Sequence, residues 1–376
     1  MRVGCNLLWL VPGRVGGSEE ATVALLRALA EQKPDDLHYT VYALDDFGAE
    51  YPDVAKLFPT RLAALTGRLK PLRVGAENTW LAGETKRAEL DLVHHMNAVL
   101  PLNRPAPGVI TIHDLQPFDM PENFHPVKRR YVHTTVPRSV RKAAMVVTPS
   151  EFVRQGVIER FGVDPERVRT TRWGVDAPRT DVTVAEVQDR YGLSSRWFVF
   201  NAVTWPHKNH GLLVRAFAKV AAKEHDVTLV LTGGEAQQEE PLAGMIDRLG
   251  LRGRVRRTGR IPRDDMLAVL RGATALTFPS RYEGFGLPVL EAMSLGTPVV
   301  AADTTALPEV IGGAARLESP DDPDAWTDAM LELLADEAAR TRLVELGRAR
   351  ALDFSWKATA SQTIQVYRDA LAGKVP

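Results

Sequence analysis

The chain has a single cysteine, Cys5, among 376 residues. One thiol excludes an internal disulfide framework and any zinc site built on cysteine, and it suits a reducing compartment. Cys5 itself reads as a small buried strand residue rather than a nucleophile. Long apolar runs are missing too: nothing approaches the roughly 18 apolar residues of a spanning helix, so no transmembrane anchor is expected, although contact with a membrane surface stays open. Net charge is absent, because 47 Lys and Arg balance 47 Asp and Glu. No global field therefore draws the molecule to nucleic acid, and any anion site has to be built locally. The opening MRVGCNLLWLVPG lacks the form of a signal peptide, since Asn6, Pro12 and Arg14 interrupt it and no small-residue cleavage site follows. A buried strand and a turn are expected there, and a cytoplasmic location for the whole.

What is present is alternation. Short runs rich in Val, Ile and Leu are separated by amphipathic stretches, the pattern of parallel sheets covered by helices on both faces. The first half offers strands at Val3–Leu8, Tyr39–Leu44, Leu92–His95, Val109–His113, Met145–Thr148 and Val168–Arg172. The second half offers Trp197–Asn201, Thr228–Thr232, Val255–Thr258, Ala275–Phe278, Val299–Ala301 and Ala315–Leu317. Leu212, Leu213, Ala216, Phe217 and Val220 share one face of a crossover helix. The expectation is an α/β protein of two doubly wound halves, divided near residue 178 in WGVDAPRTDVT, with ligands held where strands end at their carboxyl sides.

Four loops after strands carry candidate chemistry. In PGRVGGSEE, Gly16 and Gly17 let backbone N–H groups approach a diphosphate at a helix N-terminus; the alternative is a plain turn capped by Ser18, with Glu19 and Glu20 already supplying negative charge. The loop is neither a dinucleotide fingerprint nor a P-loop. In TIHDLQP, His113 and Asp114 end an otherwise apolar strand, where His113 is expected to face substrate and Asp114 either does so or caps the next turn. In WPHKNHGLLVRAF, Lys208 and Asn209 start a helix and both are expected to touch ligand; Lys208 suits phosphate oxygens, His207 adds a donor if protonated, and a solvated lysine is the alternative. The most specific segment is SRYEGFGLPVLEAMSLGTPVVAAD. There Glu283 and Glu291 flank Gly284 and Gly286, and the N–H groups of Phe285, Gly286 and Leu287 can face a phosphate, so the segment fits a ligand with both hydroxyls and phosphate.

EGFGLPVLE, together with PHKN, the early Gly-Gly loop and TIHD, resembles family-4 retaining glycosyltransferases of the GT-B fold, bacterial mannosyltransferases among them. The resemblance spans nearly the whole chain. WGVD is similar to the family's Asn-Gly-Val-Asp ending of the first domain, with Trp173 in place of Asn. FSWKATA is similar to a segment preceding a terminal helix that crosses back onto the first domain. The resemblance implies two facing Rossmann-like domains with a cleft between them: an acceptor side over 1–178 plus the crossing helix 357–376, and a donor side over 179–356. It implies that Glu283 binds donor sugar hydroxyls, Glu291 the ribose and Lys208 the diphosphate, helped by amides around Gly17 and Gly286, with His113 beside the transferred sugar. One departure stands out. Many members carry Arg six residues before the Lys, where this chain has Ala202, and His207 or Arg260 are the candidates to compensate.

The expected activity is retaining, metal-independent transfer of a hexose from a GDP- or UDP-linked donor to a hydroxyl on a glycan, lipid-linked or small-molecule acceptor, with no cofactor besides the donor. Backbone near Arg260 and Ile261 is expected to read the base. A phosphorylase, an epimerase and a nucleotide-sugar-binding protein without turnover are the alternatives. The basic stretch 127–142, with Lys128, Arg129, Arg130, Arg138, Arg141 and Lys142, is either a solvated helix face interrupted by Pro137 or a peripheral contact with anionic membrane.

Overall fold

The structure is a computed structural model that describes residues 1–13, 16–32, 34–176 and 179–373. The chain forms two compact units, Met1–Gly174 joined by the segment from Ser355 onward, and Val175–Phe354. The expected division at residue 178 lies outside the described residues; the two units part within the WGVD motif instead.

The first unit holds seven strands: β1 (Arg2–Asn6), β2 (His38–Leu44), β3 (Thr60–Ala63), β4 (Leu92–His95), β5 (Gly108–Thr111), β6 (Met145–Thr148) and β7 (Val168–Thr170). They pair in the order β3-β2-β1-β4-β5-β6-β7, and all ladders are parallel. The second unit holds six: β8 (Trp197–Asn201), β9 (Thr228–Thr232), β10 (Val255–Gly259), β11 (Ala275–Phe278), β12 (Val299–Ala302) and β13 (Arg316–Glu318). Their order is β10-β9-β8-β11-β12-β13, again all parallel. Strands buried on both faces need continuous apolar runs, and β4, β5, β6, β9 and β11 are buried end to end. In each sheet the winding reverses between neighbouring strands, β1 against β4 and β8 against β11. Loops leaving those strands at their carboxyl ends diverge and leave room for a ligand.

Helices cover both sheets. His210–Lys223 buries the expected face of Leu212, Leu213, Ala216, Phe217 and Val220. The helix Pro126–Lys142 runs through Pro137, contrary to the expected interruption. Val136, Ser139 and Val140 are buried on either side of the proline, and the Ser139 hydroxyl donates to the Thr135 carbonyl at 2.7 Å, so packing outweighs the lost N–H bond.

The last helix, Trp356–Leu371, completes the first unit rather than the second. It buries Trp356, Ala360, Ile364, Val366 and Tyr367 in the same core as Cys5, Leu26, Leu29 and Val109. Buried His94 lies between the Tyr367 hydroxyl and Thr111 Oγ1, each at 2.8 Å. Gly174 is required where this helix begins, because a Cβ there would fall inside the backbone of Ser355 and Trp356. Cys5 is fully buried, and burial pushes its thiol up to about 12, so it is inert.

Candidate active site

In the second unit, the loop after β8 makes a single 3-10 turn, Pro206–Lys208. Asn209 then takes a left-handed conformation, φ 58°, and the helix His210–Lys223 starts. The neighbouring loop after β11 carries Glu283. The two loops are stitched together: Arg281 N donates to the His207 carbonyl at 2.7 Å. Asn209 Nδ2 donates to the carbonyls of Pro320 at 2.8 Å and Pro279 at 3.3 Å. Asn209, expected to touch ligand, thus has its amide donors engaged in holding the loops, which a left-handed Asn does without the strain of a branched residue.

That stitching brings together two residues 75 apart in sequence. Lys208 Nζ lies 2.5 Å from Glu283 Oε1, with the lysine 19% and the glutamate 13% exposed. Lys208 also stands 5.6 Å over the Phe278 ring. The pair is a salt bridge largely removed from water, which holds only while both partners are present. Glu283 is fixed from behind as well, since its N–H donates to Thr305 Oγ1 at 3.1 Å. Thr305 has φ 55°, a costly conformation for a β-branched residue. Thr305 went unnoticed in the sequence because its role depends on its backbone angle, which no residue pattern announces.

Gly286 starts the helix Leu287–Leu295 with φ 104°, and a Cβ on it would press 2.7 Å from Leu307 Cδ2. Pro288 sits in the first turn, so the N–H groups of Gly286 and Leu287 lie at a helix N-terminus, where anions are favoured. Gly284 is half-buried in the preceding loop, and Phe285 is buried against Phe354 with centroids 5.9 Å apart. Glu291 is buried within the helix and accepts from Arg263 Nη2 at 2.8 Å. Arg263 opens the helix after β10 and was not anticipated, although it lies only two residues beyond Ile261.

His207 is corrected as a protonated donor. Burial first, then Lys208 and His210, push it down to about 3, so it is neutral. Ala202 leaves β8 with no cation. Beside it, Gly233 (φ 128°) has room for no side chain against the Ala202 carbonyl. A Cβ on Gly234 would lie 3.2 Å from Arg260 Nε and 3.7 Å from Val203 Cγ2. Arg260 and half-buried Ile261 follow β10, where Gly259 (φ 67°) breaks the register, so the Arg260 guanidinium lies over the bare Gly234, beside Val203.

In the first unit, Gly16 (φ 81°) and Gly17 precede and open the helix Gly17–Gln32, both exposed and with open space where a Cβ would be. The helix starts before Ser18, which is therefore not its cap. Glu19 is buried, accepting from Gly13 N at 2.7 Å and from the Tyr51 hydroxyl. His113 lies two residues beyond β5, its ring 5.5 Å from Trp9 and 5.7 Å from Trp173. Its Nε2 donates to the Met96 carbonyl at 3.1 Å, and burial pushes its pKa down to about 4. The neutral ring then carries its proton on Nε2. That leaves Nδ1 an acceptor, buried and without a partner. Exposed Asp114 caps the following turn, Oδ1 accepting from Gln116 N at 2.9 Å.

Under this site runs a polar network that sequence reading missed. Asn6, at the end of β1, donates to Glu77 Oε1 at 3.0 Å and to His95 Nδ1 at 2.9 Å. Burial pushes Glu77 up to about 7. Among the described residues no three His, Cys, Asp or Glu side chains gather as a metal site would require, and no helix is long and apolar enough to cross a membrane.

A family profile described as Glycosyl transferases group 1 matches residues 194–350, and one described as Glycosyltransferase Family 4 matches residues 15–179. The chain is similar to the O-antigen chain mannosyltransferase B of Escherichia coli, 33% identical over 283 residues that cover 74% of each protein. Among solved structures it is similar to a sucrose-phosphate synthase from Thermosynechococcus elongatus, with TM-score 0.80 and 21% identity over 99% of this chain and 100% of that one. It is also similar to Anabaena HepE in complex with UDP-glucose, with TM-score 0.76 and 19% identity over 98% of this chain and 100% of that one. At those identities the structural likeness speaks for the fold alone.

Proposed function

Since the chain belongs to the family-4 glycosyltransferases of the GT-B fold, we propose that it moves a hexose from a GDP- or UDP-linked donor to an acceptor hydroxyl, with retention of anomeric configuration and without a metal. The observation that carries this is the Lys208–Glu283 pair where β8 and β11 diverge. A donor arriving there meets a cation for its diphosphate and a carboxylate for its sugar hydroxyls. Without ligand each neutralises the other; with donor bound, Lys208 turns to the phosphate oxygens and Glu283 accepts from the hexose.

As the glycosidic bond breaks, negative charge gathers on the departing diphosphate. Lys208 and the N–H groups of Gly286 and Leu287 are aimed at that charge, and such preorganised donors lower the barrier without reorganising. Arg260 takes the place of the Arg absent at Ala202, supported by its position over Gly234. Glu291 receives the ribose hydroxyls while Arg263 holds its carboxylate, and backbone at Arg260 and Ile261 reads the base. The leaving phosphate assists removal of the acceptor proton, which is why a neutral His113 suffices: its Nδ1 accepts from a sugar hydroxyl rather than acting as the base. On the first unit, Gly16 and Gly17 stand exposed and open to phosphate in their own right, and no cofactor beyond the donor takes part. The acceptor is a glycan, lipid-linked or small-molecule hydroxyl. Peripheral contact with anionic membrane through 127–142 is supported by Val127, 71% exposed beside Arg129 and Arg130.

The test is a panel of GDP-mannose, UDP-glucose and UDP-N-acetylglucosamine, read by melting temperature and by nucleotide release with cell-extract acceptors. Ligand that binds only the folded chain raises its melting temperature. One donor is expected to do so and to release nucleotide, and Glu283→Gln and Lys208→Ala to weaken both responses. No stabilisation by any donor at saturation, or donor affinity indifferent to both substitutions, rejects the proposal.

A further inference from the structure

A second concentration of charge lies in the first unit, on two helices that the mechanism above does not use. Lys70 is the first residue of the helix Lys70–Asn78, and Arg73 lies one turn on. Lys128 stands in the first turn of Pro126–Lys142. Neither helix has an acidic residue in its first turn, so these lysines sit where the helix macrodipole opposes them. The two helices meet: Lys70 Nζ lies 4.3 Å over the Tyr131 ring, while Lys128 Nζ lies 4.6 Å over Phe124. Arg73 is turned inward, its Nη1 donating to the Trp9 carbonyl at 2.7 Å and its buried Nε without a partner.

Lys70 and Lys128 are exposed and Arg73 is half-buried. Partial loss of water first, then the charges of Lys128 and Arg73, hold Lys70 below its ordinary pKa. The same loss of water lowers Arg73 and Lys128. Lys208, Arg190 and Arg263 each face a carboxylate in an ion pair; among the described residues Lys70, Arg73 and Lys128 face none. Two acids lie within their field. Glu77 is buried among Asn6, Asn97 and His95 and is half protonated near neutrality, and Asp114 caps its own turn. Like charges at a partly exposed site repel modestly through water, and a bound anion turns that repulsion into attraction. Their position names which anion: Trp9, whose carbonyl anchors Arg73, packs its ring against His113. The cluster therefore stands one side chain from the unpaired Nδ1 already assigned to a sugar hydroxyl.

Resting on the transferase reading, we propose that the acceptor carries a phosphate group, bound by Lys70, Arg73 and Lys128 while its hydroxyl lies near His113. The three cations supply a point charge, a planar donor and a second point charge, matching an oxygen-rich dianion better than a neutral sugar. That phosphate belongs to a soluble sugar phosphate or to a lipid-linked one, and both offer the same oxygens to the cluster.

The test uses the full chain and two probes: mannose 1-phosphate against mannose in solution, and polyprenyl phosphate in phosphatidylcholine vesicles against plain phosphatidylcholine vesicles. Binding is read by tryptophan fluorescence for the sugars and by sedimentation for the vesicles. Wild type is expected to prefer one phosphorylated probe at least tenfold over its neutral counterpart. The variant Lys70→Ala/Lys128→Ala is expected to lose that preference with melting temperature unchanged, and Lys70→Arg/Lys128→Arg to retain it. Preference for mannose 1-phosphate assigns a soluble acceptor, and preference for the polyprenyl phosphate vesicles a lipid-linked one. No preference in either arm, or a preference untouched in the alanine variant, overturns the proposal. Because no nucleotide sugar enters this assay, a chain that binds phosphate but no donor disproves the transferase reading alone, and one that binds donor but no phosphate disproves this proposal alone.

Discussion

The two units place chemistry in loops that follow the strands of parallel sheets and treat charge in opposite ways. Where β8 and β11 diverge, Lys208 and Glu283 close on each other at 2.5 Å and the glycine beneath the helix terminus is tightly packed. In the loops after β1 and β5, His113 keeps an unpaired nitrogen, three cations on flanking helices have no ion-pair partner among the described residues, and Gly16 and Gly17 stand in open space. A site whose charges are balanced without ligand is assembled in advance. A site with unsatisfied groups is completed by what binds it.

The sharpest way to break the contrast is Lys208→Ala, expected to lower turnover by about 10²- to 10³-fold, as loss of one preorganised donor does. It also strands Glu283 and lowers the melting temperature; adding Glu283→Gln is expected to restore stability but not turnover, which steady-state kinetics and calorimetry together read out. Gly286→Ala is next. A left-handed alanine pressed on Leu307 should cost about 3 kcal/mol by denaturant titration.

Acidification acts on both units through histidines depressed by burial, His207 and His210 of the second as well as His94 and His95 of the first. His94 and His95 are pushed down to about 3 by burial, so their stabilising contribution is present above about pH 6.5 and lost as pH falls below it. Each costs about 2 kcal/mol by pH 5. Glu77, pushed up to about 7, works the other way: it takes up a proton in the folded state and returns about 2 kcal/mol over the same interval. Melting temperature is therefore expected to fall between pH 7 and pH 5, and to fall more steeply in Glu77→Gln. His113→Ala should lower kcat/KM about tenfold, the loss of one substrate hydrogen bond. The smallest effect is Gly17→Ala, within about 1 kcal/mol of wild-type stability because its surroundings are open. Its donor KM tests whether that amide approaches phosphate.

Much of this was readable beforehand, for identifiable reasons. Buried parallel strands are apolar throughout, so twelve of the thirteen strands among the described residues left a visible run. The exception is β3, whose TRLA is an edge strand with only Ala63 buried. Loops after strands placed Lys208 and Glu283 individually, but their contact depends on strand order, which has no local signature. The Lys70 cluster escaped because residues 64–91 hold neither a strand nor a long apolar face. Its signal was the spacing of Lys70, Arg73 and Glu77, which brings a cation, a second cation and an acid to one side of a helix.

The first unit is finished by Trp356–Leu371, which follow the whole second unit in sequence. Trp356, Ile364, Val366 and Tyr367 together contribute roughly 6–12 kcal/mol of burial, as much as an entire domain's net stability. On the ribosome, the half made first must then wait, its sheet uncovered, until the half made second has emerged and the closing helix arrives. The order of birth and the order of completion are reversed, and a chain interrupted after Phe354 would leave its older half unable to stand.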